Sequence, residues 1–271
     1  MKTVVSASRR TDLPAFYTDW LLAQCRRGYA EVTNPVTKAA YTVDLRPESV
    51  HSMVLWSKHF GPLLDRIGEL SDYELFFMYT LNDAPELEPR VPPLDRRLAQ
   101  LDRLLDRFGR ERLITRCDPI VFWRQGQTPR DNRAGALRVV RELGARGIRR
   151  VIMSVMDTRY RKLRRRPVRF VSPPLDEQAR VLGELAGEAA RYQMTVALCC
   201  NAELSGRLDL PNVTVSRCVD GGYLSRVVGE PASRAGDTAQ RSECGCTRSR
   251  DIGSYEQVCG HRCVYCYAAP G

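Results

Sequence analysis

The sequence lacks any apolar run of about eighteen residues or more, so nothing in it is long enough to cross a bilayer as a helix. Its start, MKTVVSASRRTD, turns polar before an export signal's apolar region could form. A soluble, cytoplasmic protein with no membrane partner is the expectation. Lysine is scarce: of 42 basic residues only Lys2, Lys38, Lys58 and Lys162 are lysines. The formal charge of +10 therefore rests on arginines spread along the whole chain rather than on a lysine-rich patch. Clustered cations bind nucleic acid by displacing counterions from phosphate, and scattered ones do so poorly. Nucleic acid is thus a partner the composition allows without favouring. The one dense run, Arg159 to Arg169, is expected to be a solvated loop, with a phosphate-binding loop as the alternative. A Gly-rich dinucleotide fingerprint is missing after the first apolar run, which disfavours a nucleotide-binding Rossmann domain.

What the chain has is a recurring βα pattern. Strands are expected near Val4 to Ser8, Ala30 to Asn34, Ser52 to Trp56, Tyr73 to Leu81, Leu113 to Cys117, Arg150 to Val155, Thr195 to Cys200 and Val213 to Cys218. Helical segments fall between them at Pro14 to Arg27, Pro62 to Ile67, Leu94 to Phe108, Arg133 to Arg146 and Asp176 to Tyr192. Tyr41 to Leu45 reads as a hairpin excursion. Eight such strands predict an α/β fold of the (β/α)8, TIM-like barrel type, with an open doubly wound sheet as the alternative. The expected organisation is a barrel over 1–226, a polar Gly/Ser/Ala-rich linker over 227–243, and a cysteine-rich segment over 244–271 that docks on the barrel mouth.

Ten cysteines without an export signal argue for metal or redox use rather than disulfides. Five of them crowd the C-terminal segment, at Cys244, Cys246, Cys259, Cys263 and Cys266. The last three form C-x3-C-x2-C, spaced to wrap a short loop around three corners of a [4Fe-4S] cubane and leave the fourth iron without a protein ligand. Zinc is the rival, with four ligands drawn from Cys244, Cys246, Cys259, His261, Cys263 and Cys266.

A second set is suggested by period two. In Thr195 to Asn201 the alternation puts Val196 and Leu198 on one face and Ala197, Cys199 and Asn201 on the other, which should point into the barrel. Cys218 closes the last expected strand in the same sense. Cys199, Cys218, Cys244 and Cys246 are therefore candidate ligands of an auxiliary [4Fe-4S] cluster; the plain alternative is that Cys199, Cys200 and Cys218 are small buried residues. Charged residues at strand ends, where barrel chemistry sits, add Arg9, Arg10, Asp12, Lys58 and Asp118 as candidate catalytic or substrate-binding groups, with His59, Arg116 and Asp157 beside them. Any one of these could instead be a salt-bridged strand terminus.

The motif Cys259-Gly-His-Arg-Cys263-Val-Tyr-Cys266-Tyr-Ala resembles that of the radical S-adenosylmethionine (SAM) superfamily, and its CVYCYA is especially similar to the spore photoproduct lyase branch. In that superfamily the motif follows the first barrel strand, so its place here resembles a circular permutation. The superfamily's Gly-Gly-Glu element is not recognisable. Over nearly its full length the chain also resembles the family called domain of unknown function 1848, through SASRRTDLPAFY, the WSK at Trp56, the CDP at Cys117, the ECGC at Glu243, the DIGSY at Asp251 and the terminal CxxxCxxCYA. These resemblances imply a radical SAM-like enzyme with S-adenosylmethionine as cofactor, an external one-electron donor, and a small-molecule or peptide substrate. The alternatives are a nucleic-acid-binding or repair protein with a structural zinc or iron–sulfur site, and a barrel hydrolase with a zinc tail.

Overall fold

A computed structural model describes residues 1–35, 37–241 and 243–268. Ser242 of the expected linker and the last three residues of the cysteine-rich segment lie outside them. Eight strands form the central sheet: β1 (Thr3–Ala7), β2 (Val50–Ser57), β3 (Leu75–Thr80), β4 (Leu113–Arg116), β5 (Arg150–Met153), β6 (Thr195–Leu198), β7 (Val213–Val215) and β8 (Arg250–Asp251). They pair in the order β7-β6-β5-β4-β3-β2-β1-β8, every pairing parallel. Beyond the two edge strands, Thr247 N donates to Val219 O at 2.9 Å and Gly221 N to Thr247 Oγ1 at 2.8 Å. Those bonds bring the sheet round on itself as a TIM-like barrel.

Parallel strands need crossovers, and helices supply them. The main ones are α1 (Leu13–Phe16), α2 (Thr18–Arg27), α3 (Leu94–Phe108), α4 (Arg133–Ala145), α5 (Leu175–Ala190) and α6 (Gly221–Val228). The helix expected from Pro14 to Arg27 is broken at Tyr17, whose φ of −134° leaves the helical range. Leu98, Leu101 and Leu104 of α3, Val139, Val140 and Leu143 of α4, and Val181, Leu182 and Leu185 of α5 pack with Val196 and Leu198 in the layer between helices and sheet. Inside the barrel, Val4, Val54, Phe76, Met78, Ile114, Ile152 and Ala197 meet Cys199, Cys218 and Cys246. Among the described residues no helix is long and apolar enough to cross a membrane.

Two strand assignments need correction. The segment expected as the second barrel strand, Ala30 to Asn34, instead forms a separate antiparallel hairpin, Tyr29–Thr33 on Ala40–Asp44. Its burial alternates, whereas β2 is buried along nearly its whole length, as a barrel strand covered on both faces must be. The eighth strand is β8, from the cysteine-rich segment. It lies beside Val5 and Ser6 of β1, and its Asp251 carboxylate accepts from Arg9 N at 3.0 Å and Ser8 Oγ at 3.1 Å.

Candidate functional site

The strand C-termini converge on a cavity of about 480 Å³. Ser8 follows β1, Trp56 and Lys58 end β2, Thr80 ends β3, Arg116 and Asp118 end β4, Ser154 and Asp157 follow β5, Cys199 and Cys200 follow β6, and Cys218 follows β7; all line it. Barrel enzymes place their chemistry at this face, because every strand delivers a side chain to one mouth while the loops stay free to vary.

The C-terminal loop caps that mouth. Val264 N donates to Leu87 O at 2.8 Å, and Cys263 and Tyr265 pack on an apolar pad of Ala84, Leu87, Val121 and Trp123. Trp123 belongs to a three-stranded sheet (Phe122–Gln125, Thr128–Asp131, Arg169–Phe170) that sequence reasoning did not expect. His261 is buried, and its Nε2 lies 2.9 Å from Asp12 Oδ2. The other contacts of Asp12 are also internal: Oδ2 accepts from Lys58 N at 2.9 Å and Oδ1 caps α1 by accepting from Ala15 N at 3.0 Å. Asp12 thus ties the first and second strand loops to the tail and does not line the cavity. Gly260 passes so close to Phe16 that a Cβ there would stand 2.5 Å from the ring.

Of the other charged candidates, Arg9, Lys58 and Asp118 reach the cavity. Arg10 turns away: it donates to Thr33 O and Gly253 O and pairs with Asp251 at 3.4 Å. Lys58 Nζ meets Glu88 Oε1 at 2.7 Å, and the same oxygen accepts from Asn82 Nδ2 and the Tyr265 hydroxyl. Burial works against both charges of that pair; their mutual attraction outweighs it, so the ammonium sits above its usual range and the carboxyl below. Asp118 accepts from Arg116 Nη2 and Ser154 Oγ. Sequence reasoning missed Asn82, Glu88 and Ser154. Only the rule that residues just past a strand end matter could have found Asn82 and Ser154; nothing marks Glu88.

Cys259, Cys263 and Cys266 share one neighbourhood, close enough for each of the other two to act electrostatically on Cys263. Only Cys266 lines the cavity. Burial raises the Cys259 thiol to about 11 and the Cys263 thiol further, so both are protonated at neutral pH unless a bound cation compensates the thiolate. Among the described residues no three His, Cys, Asp or Glu side chains are placed to hold a single metal ion. An iron–sulfur cubane makes a different demand, one thiolate on each of several irons, and three neighbouring thiols in a short loop fit that donor set. The dense arginine run also folds over this region: Leu163 is buried and lines the cavity, Arg166 Nη2 donates to Cys266 O at 3.0 Å, and Tyr160 stacks on Tyr267 with ring centroids 4.8 Å apart.

A family model described as "Domain of unknown function (DUF1848)" matches residues 4–268. The chain belongs to that family. DUF1848 thus includes the barrel, the linking segment and the cysteine motif in one unit of sequence. No curated protein matches this DUF1848 chain. Among solved structures, a xylose isomerase domain protein from Planctomyces limnophilus is similar at 13 % identity and a TM-score of 0.28, over 72 % of this chain and 63 % of that one. The chain therefore spans under two thirds of that protein, and a likeness so loose says nothing of chemistry.

Proposed function

We propose that this DUF1848 protein is a radical SAM-like iron–sulfur enzyme whose cluster is held by Cys259, Cys263 and Cys266. The observation that carries the reading is the docking of the C-x3-C-x2-C loop on the barrel mouth, with Cys266 opening into the cavity that strand-end residues surround. Bound there, a [4Fe-4S] group with one iron free of protein ligands supplies a seat for the amino and carboxylate groups of SAM and the electron that cleaves its sulfonium bond to start radical chemistry.

The chain's own residues do the rest. Asp12 and His261 fix the loop against the first helix, and Glu88 fixes Tyr265 and Lys58 beneath it. Lys58 places a positive charge beside Cys263, where thiolate charge gathers. Tyr160, Leu163 and Tyr267 line the mouth and limit water, which a reactive radical requires. A cavity of about 480 Å³ suits a small molecule or a peptide side chain. Reduction is assigned to an external one-electron donor.

Anaerobic reconstitution with iron and sulfide, followed by reduction in the presence of SAM, is expected to yield 5′-deoxyadenosine. Replacing all three tail cysteines by alanine is expected to abolish it. Reconstituted, reduced protein that makes none refutes the enzymatic reading, and zinc at these sulfurs in protein purified without oxygen refutes the cluster itself.

A further inference from the structure

Five more cysteines line the same cavity as Cys266. Cys199 and Cys200 follow β6, Cys218 follows β7, and Cys244 and Cys246 precede β8. Cys199 Sγ lies 3.8 Å from Cys200 Sγ and 3.4 Å from Cys218 Sγ. Cys218 also interacts electrostatically with Cys246, Cys246 with Cys244, and Cys244 with Cys200, so the five thiols form a ring of interacting neighbours. A thiol buried for packing alone needs no such company, and these five come from three separate segments, after β6, after β7 and before β8.

A second observation concerns what surrounds the ring. Among the described residues, Arg9 Nη2, Arg116 Nε and Trp56 Nε1 are buried donors that meet no acceptor. Both guanidiniums lie over the Trp56 ring, at 5.2 and 5.3 Å from its centroid. Arg116 is close enough to feel Cys199, Cys218 and Cys246, and Arg9 to feel Cys246. A buried N–H left unpaired is costly, more so on a charged group, so three gathered at one place point to an acceptor that belongs there. Sulfur carrying negative charge next to five cysteines is such an acceptor. Val219 N already donates to Cys246 Sγ at 3.4 Å in this sense.

We propose that Cys199, Cys218, Cys244 and Cys246 hold a second iron–sulfur cluster, and that Arg9, Arg116 and Trp56 donate hydrogen bonds to its sulfurs. Four thiolates ligate such a cluster fully, and its net negative charge suits the Arg9 guanidinium and the Nε–H of Arg116, whose Nη2 is already paired with Asp118. All five sulfurs border the same cavity as Cys266, which leaves them volume to part into. Cys200 is the spare member: its φ of 53° places it at a turn, past the strand alternation that points Cys199 into the barrel. Arg9 is then a positioning residue for this cluster rather than a SAM contact. Hydrogen bonds to cluster sulfurs stabilise the more negative, reduced state and so raise the reduction potential.

The inference stands on its own observations and is tested without reference to SAM. A chain with Cys259, Cys263 and Cys266 all replaced by alanine, reconstituted anaerobically with ferrous iron and sulfide, is expected to stay brown. It should hold roughly half the iron of the unsubstituted protein, one cluster of two, and give a paramagnetic signal on reduction. Adding Cys244→Ala, at a half-buried position that disturbs folding least, should remove the colour and the signal, while Cys200→Ala should keep both. Trp56→Phe in the triple-alanine chain keeps the ring and deletes the N–H, so the potential should shift to a more negative value. A colourless triple variant, iron unaffected by Cys244→Ala, or zinc in place of iron overturns the proposal. If the unsubstituted protein forms no 5′-deoxyadenosine while the triple variant still holds iron, the SAM reading alone is sunk.

Discussion

Replacing Lys58 by methionine tests the polar floor on which the tail loop rests. Methionine fills the volume of the lysine stem and removes its charge, leaving Glu88, only 2 % exposed, with no cation against Oε1. Breaking one side of a buried ion pair costs about 3–5 kcal/mol, because the survivor is a desolvated charge; with Lys58 itself 15 % exposed, the lower end, about 3 kcal/mol, is expected. For a chain near this size each kcal/mol lowers the melting temperature by about 2–4 °C, so the variant should melt roughly 6–12 °C early. Adding Glu88→Gln removes the stranded charge and keeps an oxygen for Asn82 Nδ2 and the Tyr265 hydroxyl. More than half of the loss should return. The pH dependence follows from the direction of the shifts. The carboxyl is held below its ordinary 4.5, so its stabilisation is present above that value and is lost as pH falls through the folded value. The ammonium is held above its ordinary 10.5, so its stabilisation is complete below that and is lost as pH rises through the folded value. The gap between parent and variant should accordingly be widest and flat in the neutral range and close in acid, as Glu88 takes up a proton. Thermal unfolding by circular dichroism of the parent, both single variants and the double, from acid to neutral pH, measures all of this. A loss under about 1 kcal/mol, or a double variant no better than Lys58→Met, refutes the claim that these charges depend on each other.

Two glycines give further tests. Gly260→Ala puts a Cβ 2.5 Å from Phe16 Cε1, on a ring that stands edge-on to His261 at 4.6 Å. Because Phe16 is exposed and can yield, the change should cost about 1 kcal/mol, the low end for added bulk, and expose the tail to protease, and Phe16→Leu should relieve both; unchanged proteolysis argues against a docked tail. Gly135→Ala in α4 should lower the melting temperature despite alanine's helix preference of about 1 kcal/mol, because its Cβ would come 1.8 Å from the Asp83 carbonyl oxygen, beside the Asn82 that braces Glu88. A more stable alanine variant means that the close approach is not made.

Seven of the eight barrel strands were legible as apolar β-branched runs, six of them because a strand covered on both faces has to be apolar along its length; β7 is half-exposed and showed only through its valines. The eighth was not. β8 has only Arg250 and Asp251, and it is held by Asp251 accepting from Ser8 and Arg9 rather than by apolar burial, so periodicity carries no trace of it. Ala30 to Asn34 was misplaced for the opposite reason: a half-buried hairpin strand has the same residue types as a barrel strand and differs only in what its outer face meets. The three-stranded sheet under the tail was also invisible, since Thr128–Asp131 is largely exposed and is positioned by pairing with Phe122–Gln125.

The cysteines were legible in a different way, through chemistry and spacing rather than hydrophobic pattern. Alternation along β6 was enough to turn Cys199 toward the barrel interior, because a pleated strand leaves a side chain two choices of face. No comparable rule reaches Trp56, Arg9 and Arg116 as a group. They come from β2, the loop after β1, and the end of β4, and what unites them is a shared lack of hydrogen-bond acceptors around one ring of sulfurs. A linear sequence records which donors exist but not which go unsatisfied once the chain is folded. Unsatisfied burial, more than any motif, is what the proposed second cluster rests on.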